Sequence, residues 1–159
     1  MSRAAKVLEL EELLARSAEL RCSGRTIALA NGLFDILHVG HLRYLEAAAA
    51  EADVLVVAIN SDESARRLKG VGRPVVPQGE RAELLSGFSC VDWVVVFEQD
   101  TVEALLRSLR PDVHCKGTDY TVESVPEAAV TRELGIRVAI VGDPKAHATR
   151  ELIRRMRED

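Results

Sequence analysis

The sequence predicts a single α/β domain built on a five-stranded parallel sheet with helices on both faces. Three observations carry that expectation. Short aliphatic runs alternate along the chain with longer amphipathic ones, the pattern of strand–helix–strand units. The aliphatic runs are almost unbroken Val, Ile, Leu and Ala, as expected of strands covered on both sides. The length of 159 residues suits one domain with a sizeable core and leaves little room for a second.

Each element follows from its local sequence. From Val7 to Leu20, leucines at 10, 13, 14 and 20 recur with helical spacing, and Gly24 closes that segment. Residues 1–24 therefore form a leading helix and residues 25–159 the α/β core. Thr26–Ala30 reads as the first buried strand, broken by Asn31-Gly32. His41–Glu51 has the Ala- and Leu-rich composition of a helix. Val54–Ile59 is the second strand, and Asn60-Ser61-Asp62 caps a helix that runs to Leu68. Lys69–Gly79, bearing Gly and Pro, is expected to be a loop with functional potential. A short helix follows over Glu80–Ser86, then a strand at Trp93–Phe97 and a helix at Val102–Leu109, which Pro111 stops. Asp112–Cys115 makes the fourth strand. Val125–Leu134 is helical and ends at Gly135, a good residue for a helix C-terminus. Ile136–Val141 is the fifth strand, and Thr149–Met156 the last helix.

Composition excludes several classes. A hydrophobic fraction of 47% and a charged fraction of 29% belong to an ordinary globular chain. The net charge of −4 provides no sequence-wide basic field for nucleic acid or anionic lipid, so neither is an expected partner. Cys22, Cys90 and Cys115 are odd in number and widely spaced, which disfavours a disulfide framework or structural zinc and fits a reducing cytoplasm. The first residues lead into Glu9, Glu11 and Glu12 without the apolar stretch of a secretory signal, and the longest aliphatic run is far too short to span a bilayer.

The chemistry concentrates after the first strand, in Asn31-Gly-Leu-Phe-Asp-Ile-Leu-His-Val-Gly-His41. In open α/β sheets, ligands bind beyond the carboxyl ends of the strands, close to where the strand order reverses. Gly32 lets a nucleotide approach the backbone. Gly40 clears the entrance of the following helix, where N–H groups and the helix dipole favour phosphate. His38 and His41 are three apart at a helix start, so both are able to face one phosphate-sized space. The competing readings are a zinc pair and two core histidines. Zinc lacks a third ligand at suitable spacing, and core histidines seldom sit between two glycines at a strand–helix junction.

The Gly-x-Phe-Asp-x-x-His-x-Gly-His run resembles the signature of the cytidylyltransferase-like nucleotidyltransferases, whose fold is Rossmann-like and whose two histidines contact the nucleotide phosphates. Carried over, those are His38 and His41. Further segments fall in the order and spacing of one branch, the D-glycero-D-manno-heptose 1-phosphate adenylyltransferases. They are Asn60-Ser-Asp62, Arg67-Leu-Lys-Gly70, Arg73-Pro-Val75, Glu80-Arg81, Val91-Asp-Trp-Val94, Lys116-Gly-Thr-Asp-Tyr120 and Thr149. The likeness runs from about Thr26 to Ile153 and is similar to the stand-alone form, without a preceding kinase.

The resemblance implies ATP and a sugar 1-phosphate as substrates, Mg²⁺ carried by the nucleotide rather than by a protein site, and often a homodimer. It implies a catalytic set of His38, His41 and Lys69, the lysine reaching the leaving pyrophosphate as a mobile cation. Nucleotide contacts are expected from Asn31, Gly32, Leu33, Phe34, Gly40, Lys116, Gly117, Asp119 and Thr149. Substrate contacts are expected from Asp35, Asn60, Asp62, Arg73, Arg81 and Tyr120. Several have a plainer alternative: Asp35 bracing its turn, Arg81 in an ordinary ion pair, Asp62 and Thr149 as helix caps, and Asp119 and Tyr120 capping and packing the next helix. Trp93 is expected in the core. The branch usually has hydroxyl residues on both sides of Thr149, where this chain has Ala148 and Arg150. The remaining alternatives are a related transferase using CTP or another phosphorylated acceptor, a nucleotide-binding module without catalysis, and an interaction protein reusing the fold.

Overall fold

A computed structural model of the protein describes Ser2, residues 5–144 and residues 149–158. The first strand, β1 (Ile27–Gly32), lies at the centre of the sheet because its side chains are small or aliphatic on both faces: Ile27 and Leu29 face one core, Ala28 and Ala30 the other. The remaining strands are β2 (Val54–Asn60), β3 (Trp93–Phe97), β4 (Val113–Lys116) and β5 (Arg137–Ile140). All pair in parallel, in the order β3-β2-β1-β4-β5. The chain moves outward from β1 to β2 and β3, then crosses back to β4 on the other side of β1. The order therefore reverses between β1 and β4, and a crevice opens at their carboxyl ends, where Gly32 and Lys116 stand.

The helices are α1 (Leu10–Cys22), α2 (Val39–Ala49), α3 (Asp62–Lys69), α4 (Gln78–Ser86), α5 (Glu103–Leu109), α6 (Ala128–Leu134) and α7 (Thr149–Glu158). On one face, α1, α5 and α6 cover Leu29, Val56 and Val95 with Leu13, Leu106 and Val130. On the other, α2 and α4 cover Ala30, Val57 and Val94 with Leu45, Ala48 and Leu85. Burying a side chain of Leu size is worth roughly 1.5–3 kcal/mol, so these two apolar layers hold the sheet between the helices. No helix among the described residues is long and apolar enough to cross a membrane.

The expected elements are all present, with shifted ends. The leading helix starts at Leu10 rather than Val7, because Val7 bridges to Val94 in parallel along the β3 edge. Leu8 N–H donates to Val94 O, and Val94 N–H to Lys6 O. The Lys6 ammonium then bonds Val91 O at 2.7 Å. An exposed sheet edge is covered in this way. The loop expected over Lys69–Gly79 is shorter at both ends: Lys69 is the last residue of α3, and Gln78 and Gly79 open α4. The helix expected from Val125 begins at Ala128. Trp93 lies in the core, as its place in a strand requires.

Candidate active site

Asn31 and Gly32 end β1, and the chain turns through Phe34, which takes a left-handed φ of 50°. That conformation is strained for a bulky residue. It is held because the ring is buried, stacked near Tyr44 at 6.3 Å between centroids and tilted against His41 at 5.3 Å. A Cβ at Gly32 would meet the Phe34 ring at 3.2 Å. The protein's own aromatic ring thus crowds position 32, so a side chain there would press on it.

The two histidines open α2 as a reciprocal cap. His38 precedes the helix, and its Nδ1 accepts from Gly40 N–H at 3.1 Å. His41 turns back so that its Nδ1 accepts from His38 N–H at 3.3 Å. The rings lie side by side, 3.9 Å between centroids. This is the capping-box arrangement with imidazoles in place of hydroxyl and carboxylate. An accepting Nδ1 carries no proton, so the ring proton of each histidine sits on Nε2. Both residues line the cavity. The Gly40 and His38 amides thus hold the two rings at the helix entrance.

The cavity has a volume of about 830 Å³ and lies at the crevice between β1 and β4. The ends of both strands line it, with Lys69 from α3, Arg73 from the following loop, and Arg43 and Tyr44 from α2. Fifteen of the eighteen residues expected at a ligand stand on its wall, among them Leu33, Asn60, Gly117, Asp119 and Tyr120. Lys69 is exposed at the end of α3, next to Gly70 with its φ of 93°. Asn60 is buried and donates to Ser64 Oγ.

Three residues expected at the substrate are engaged by the protein's own groups. Arg81 is wholly buried, and its guanidinium bonds Val76 O, Leu33 O and Asp62 Oδ1 at 2.7–2.9 Å. It ties α4 to the turn after β1 and stands behind the cavity wall. Asp62 also lies off the wall, with Oδ1 accepting from Gln78 N–H and Arg81. Asp35 is 1% exposed, and its oxygens accept from Val75 N–H, Val76 N–H and Arg73 Nε. Burial opposes its charge, but these donors outweigh that and hold its pKa below the usual carboxylate value. Asp35 is a latch for residues 73–76. Arg73, anchored by this latch, remains on the cavity wall. Ala148 lies outside the described residues, as does the side chain of Thr149.

Sequence reasoning missed a buried polar group on β4. Val113 and Cys115 join the α2/α4 core, so His114 and Lys116 point to the α5/α6 face. His114 is fully buried, with Nε2 at 2.8 Å from Asn31 Oδ1 and no partner at Nδ1. A bare lone pair is the cheaper orphan than an unpaired N–H, so Nε2 carries the proton and donates to Asn31. Asn31, so held through its Oδ1, lines the cavity. Burial, and then the nearby Lys116 charge, push the His114 pKa down to about 3. Lys116 lies over the Tyr120 ring, 4.8 Å from its centroid, and its own pKa is lowered by burial. Tyr44 donates to Cys115 O at 2.7 Å, which ties α2 to β4 across the crevice. The His114–Asn31 and Tyr44–Cys115 contacts had no sequence signal, because each depends on segments distant in the chain becoming neighbours.

A parallel sheet with its crevice at the switch point, walled by paired imidazoles and lysines, is the arrangement of an open α/β ligand-binding domain. The cytidylyltransferase-like family profile matches residues 29–154, and the chain belongs to that family. It is 45% identical to the "Bifunctional protein HldE" of Pseudomonas aeruginosa (strain LESB58) over 152 residues, 96% of this chain and 32% of that protein. The protein of the same title from Azotobacter vinelandii (strain DJ / ATCC BAA-1303) is 43% identical over 151 residues, 95% of this chain and 32% of its own length. The chain thus spans about a third of the length of these curated relatives. The fold also resembles a lipopolysaccharide core biosynthesis protein from Thermoplasma volcanium GSS1, with a TM-score of 0.66, 24% identity, and coverage of 77% of this chain and 100% of that one.

Proposed function

We propose that this chain is a nucleotidyltransferase that moves AMP from MgATP to a sugar 1-phosphate, with D-glycero-D-manno-heptose 1-phosphate as the first acceptor to test. The observation that carries the reading is the reciprocal histidine cap, which holds two imidazoles side by side on the wall of the switch-point crevice. Family membership supports the reaction class. The heptose acceptor is supported by the Arg67-Leu-Lys-Gly70 and Lys116-Gly-Thr-Asp-Tyr120 segments that resemble that branch.

In this mechanism an oxygen of the sugar 1-phosphate attacks the α-phosphorus of ATP in line. The bond from the α-phosphorus to the β-bridging oxygen breaks, and pyrophosphate leaves with that electron pair. The attacking oxygen is already anionic, so no protein nucleophile or general base is required. Catalysis consists of positioning and of stabilising charge as it shifts. His38 and His41 donate through Nε2 to the α-phosphate region, where negative charge grows in the transition state. Lys69, on the exposed end of α3, meets the departing pyrophosphate. Arg73 offers a second cation from a loop that the Asp35 latch holds in register. Mg²⁺ enters as part of the substrate, bound mainly by phosphate and water.

The test is pyrophosphate release by the purified chain, with ATP, CTP and GTP each offered heptose 1-phosphate anomers and glycerol 3-phosphate. Release restricted to ATP with a heptose 1-phosphate is the expected outcome. Turnover only with CTP and glycerol 3-phosphate would reassign the substrates, and ATP binding without product would overturn catalysis. Sedimentation of the same sample reads out the homodimer that the resemblance implies.

A further inference from the structure

We propose that Glu127 and Lys116 form a hydroxyl-recognition subsite on the cavity wall, in which one ligand hydroxyl donates to Glu127 Oε2 and accepts from Lys116 Nζ. The inference rests on the functional reading above and names a contact within it. Glu127 immediately precedes α6, is 4% exposed and lines the cavity. It makes no side-chain cap to its own helix. Its Oε2 is buried without any hydrogen-bond partner among the described residues. The nearest cation, Lys116 Nζ, is 4.0 Å away, and that side chain is only 9% exposed.

An acid and a base buried together at this separation attract each other but do not hydrogen bond. Burying a carboxylate oxygen without a donor costs free energy that the protein recovers only when a donor arrives. An oxygen about 2.8 Å from both atoms closes a triangle on the 4.0 Å gap with an angle of about 90° at that oxygen. A hydroxyl suits this position, since it donates once and accepts at the same time. A phosphate or carboxylate would be repelled by Glu127, and an ammonium by Lys116. The Tyr120 ring beneath Lys116 holds the cation in place, and Asp119 favours its charge while burial opposes it. Both the ribose of a nucleotide and the polyol of a sugar phosphate bring hydroxyls of this kind.

The experiment compares the full-length chain with Glu127→Met, a variant of similar size without an acceptor. Binding is measured by calorimetry for ATP, 2′-deoxy-ATP and 3′-deoxy-ATP, and for heptose 1-phosphate and its singly deoxygenated analogues. One deoxygenation is expected to weaken wild-type binding by about 10-fold or more, as for a hydrogen bond to a charged group. In Glu127→Met that ratio collapses towards 1. A collapse in the nucleotide series assigns the site to ribose, and one in the sugar series to the acceptor; either supports the subsite. Should Glu127→Met fail to fold, Glu127→Gln is used, and the same ratio is expected to fall by at least about threefold, because a neutral acceptor makes the weaker bond. A purely structural pair would lower the melting temperature and leave every ratio unchanged, and that result overturns the subsite while wild-type turnover keeps the nucleotidyltransferase reading. A wild-type chain that binds neither ATP nor the sugar phosphate overturns both.

Discussion

His114 lets the buried strand chemistry be read directly as a pH dependence of stability. In the folded protein the ring is neutral, because burial and the Lys116 charge push its pKa from the ordinary 6.5 to about 3. In the unfolded chain it titrates near its ordinary value. Between those two values the unfolded state binds more protons than the native state, so stability rises with pH. The contribution is fully present above the unfolded pKa and is lost progressively as the pH falls towards the folded one. From pH 7 to pH 5 the protonation of the unfolded ring alone removes about 2 kcal/mol. The perturbation that isolates this is His114→Gln, whose amide nitrogen is able to replace the Nε2–H donor to Asn31 without titrating. Urea denaturation of both proteins at pH 7 and pH 5 gives two stability differences. Every other titrating group is common to the pair, so the wild type is expected to lose about 2 kcal/mol more than the variant over this interval. Equal losses would refute the assignment of a buried, neutral His114.

His41→Gln keeps a side chain suited to the reciprocal cap but removes the imidazole donor; it is expected to melt close to the wild type while turnover falls about 100- to 1,000-fold, and near-normal pyrophosphate release would sink the phosphate role. Asp35→Asn breaks the latch on Arg73, Val75 and Val76, and by comparison with other broken buried ion pairs is expected to lose about 3 kcal/mol or more, with faster proteolysis in residues 70–77; unchanged denaturation and cleavage would contradict the latch. The same latch makes Asp35 acid-sensitive: its depressed pKa contributes stability above the unfolded value that is lost as pH falls through the folded one, so Asp35→Asn is expected to flatten the wild type's acid limb below about pH 4. Arg81→Lys cannot bridge three acceptors at once and is expected to destabilise by roughly 2–4 kcal/mol, with little change in KM of the folded fraction; a selective rise in KM would restore Arg81 to the substrate.

The residues that act within a few positions of one another were legible before any coordinates. Runs such as Val54–Ile59 announce buried strands because every position is apolar, and Gly135 announces a helix end because it accepts a left-handed φ of 70°. The placement of His38 and His41 at a helix entrance was legible for the same reason: spacing of three within one turn is a local fact. Their tautomer was not, since it depends on which backbone N–H each Nδ1 meets.

The chain's order of residues determined by itself the alternation of strands and helices, the family signature and the local cluster that opens α2, because helical and strand periodicity and turn chemistry act over a few residues. Only the tertiary structure decided that Asp35 bonds Arg73, that Asp62 bonds Arg81, that His114 meets Asn31 from the neighbouring strand, and that Glu127 faces Lys116. Those outcomes follow from burial and from contacts between residues as many as 83 positions apart, and burial decides which charged side chains the protein itself takes up.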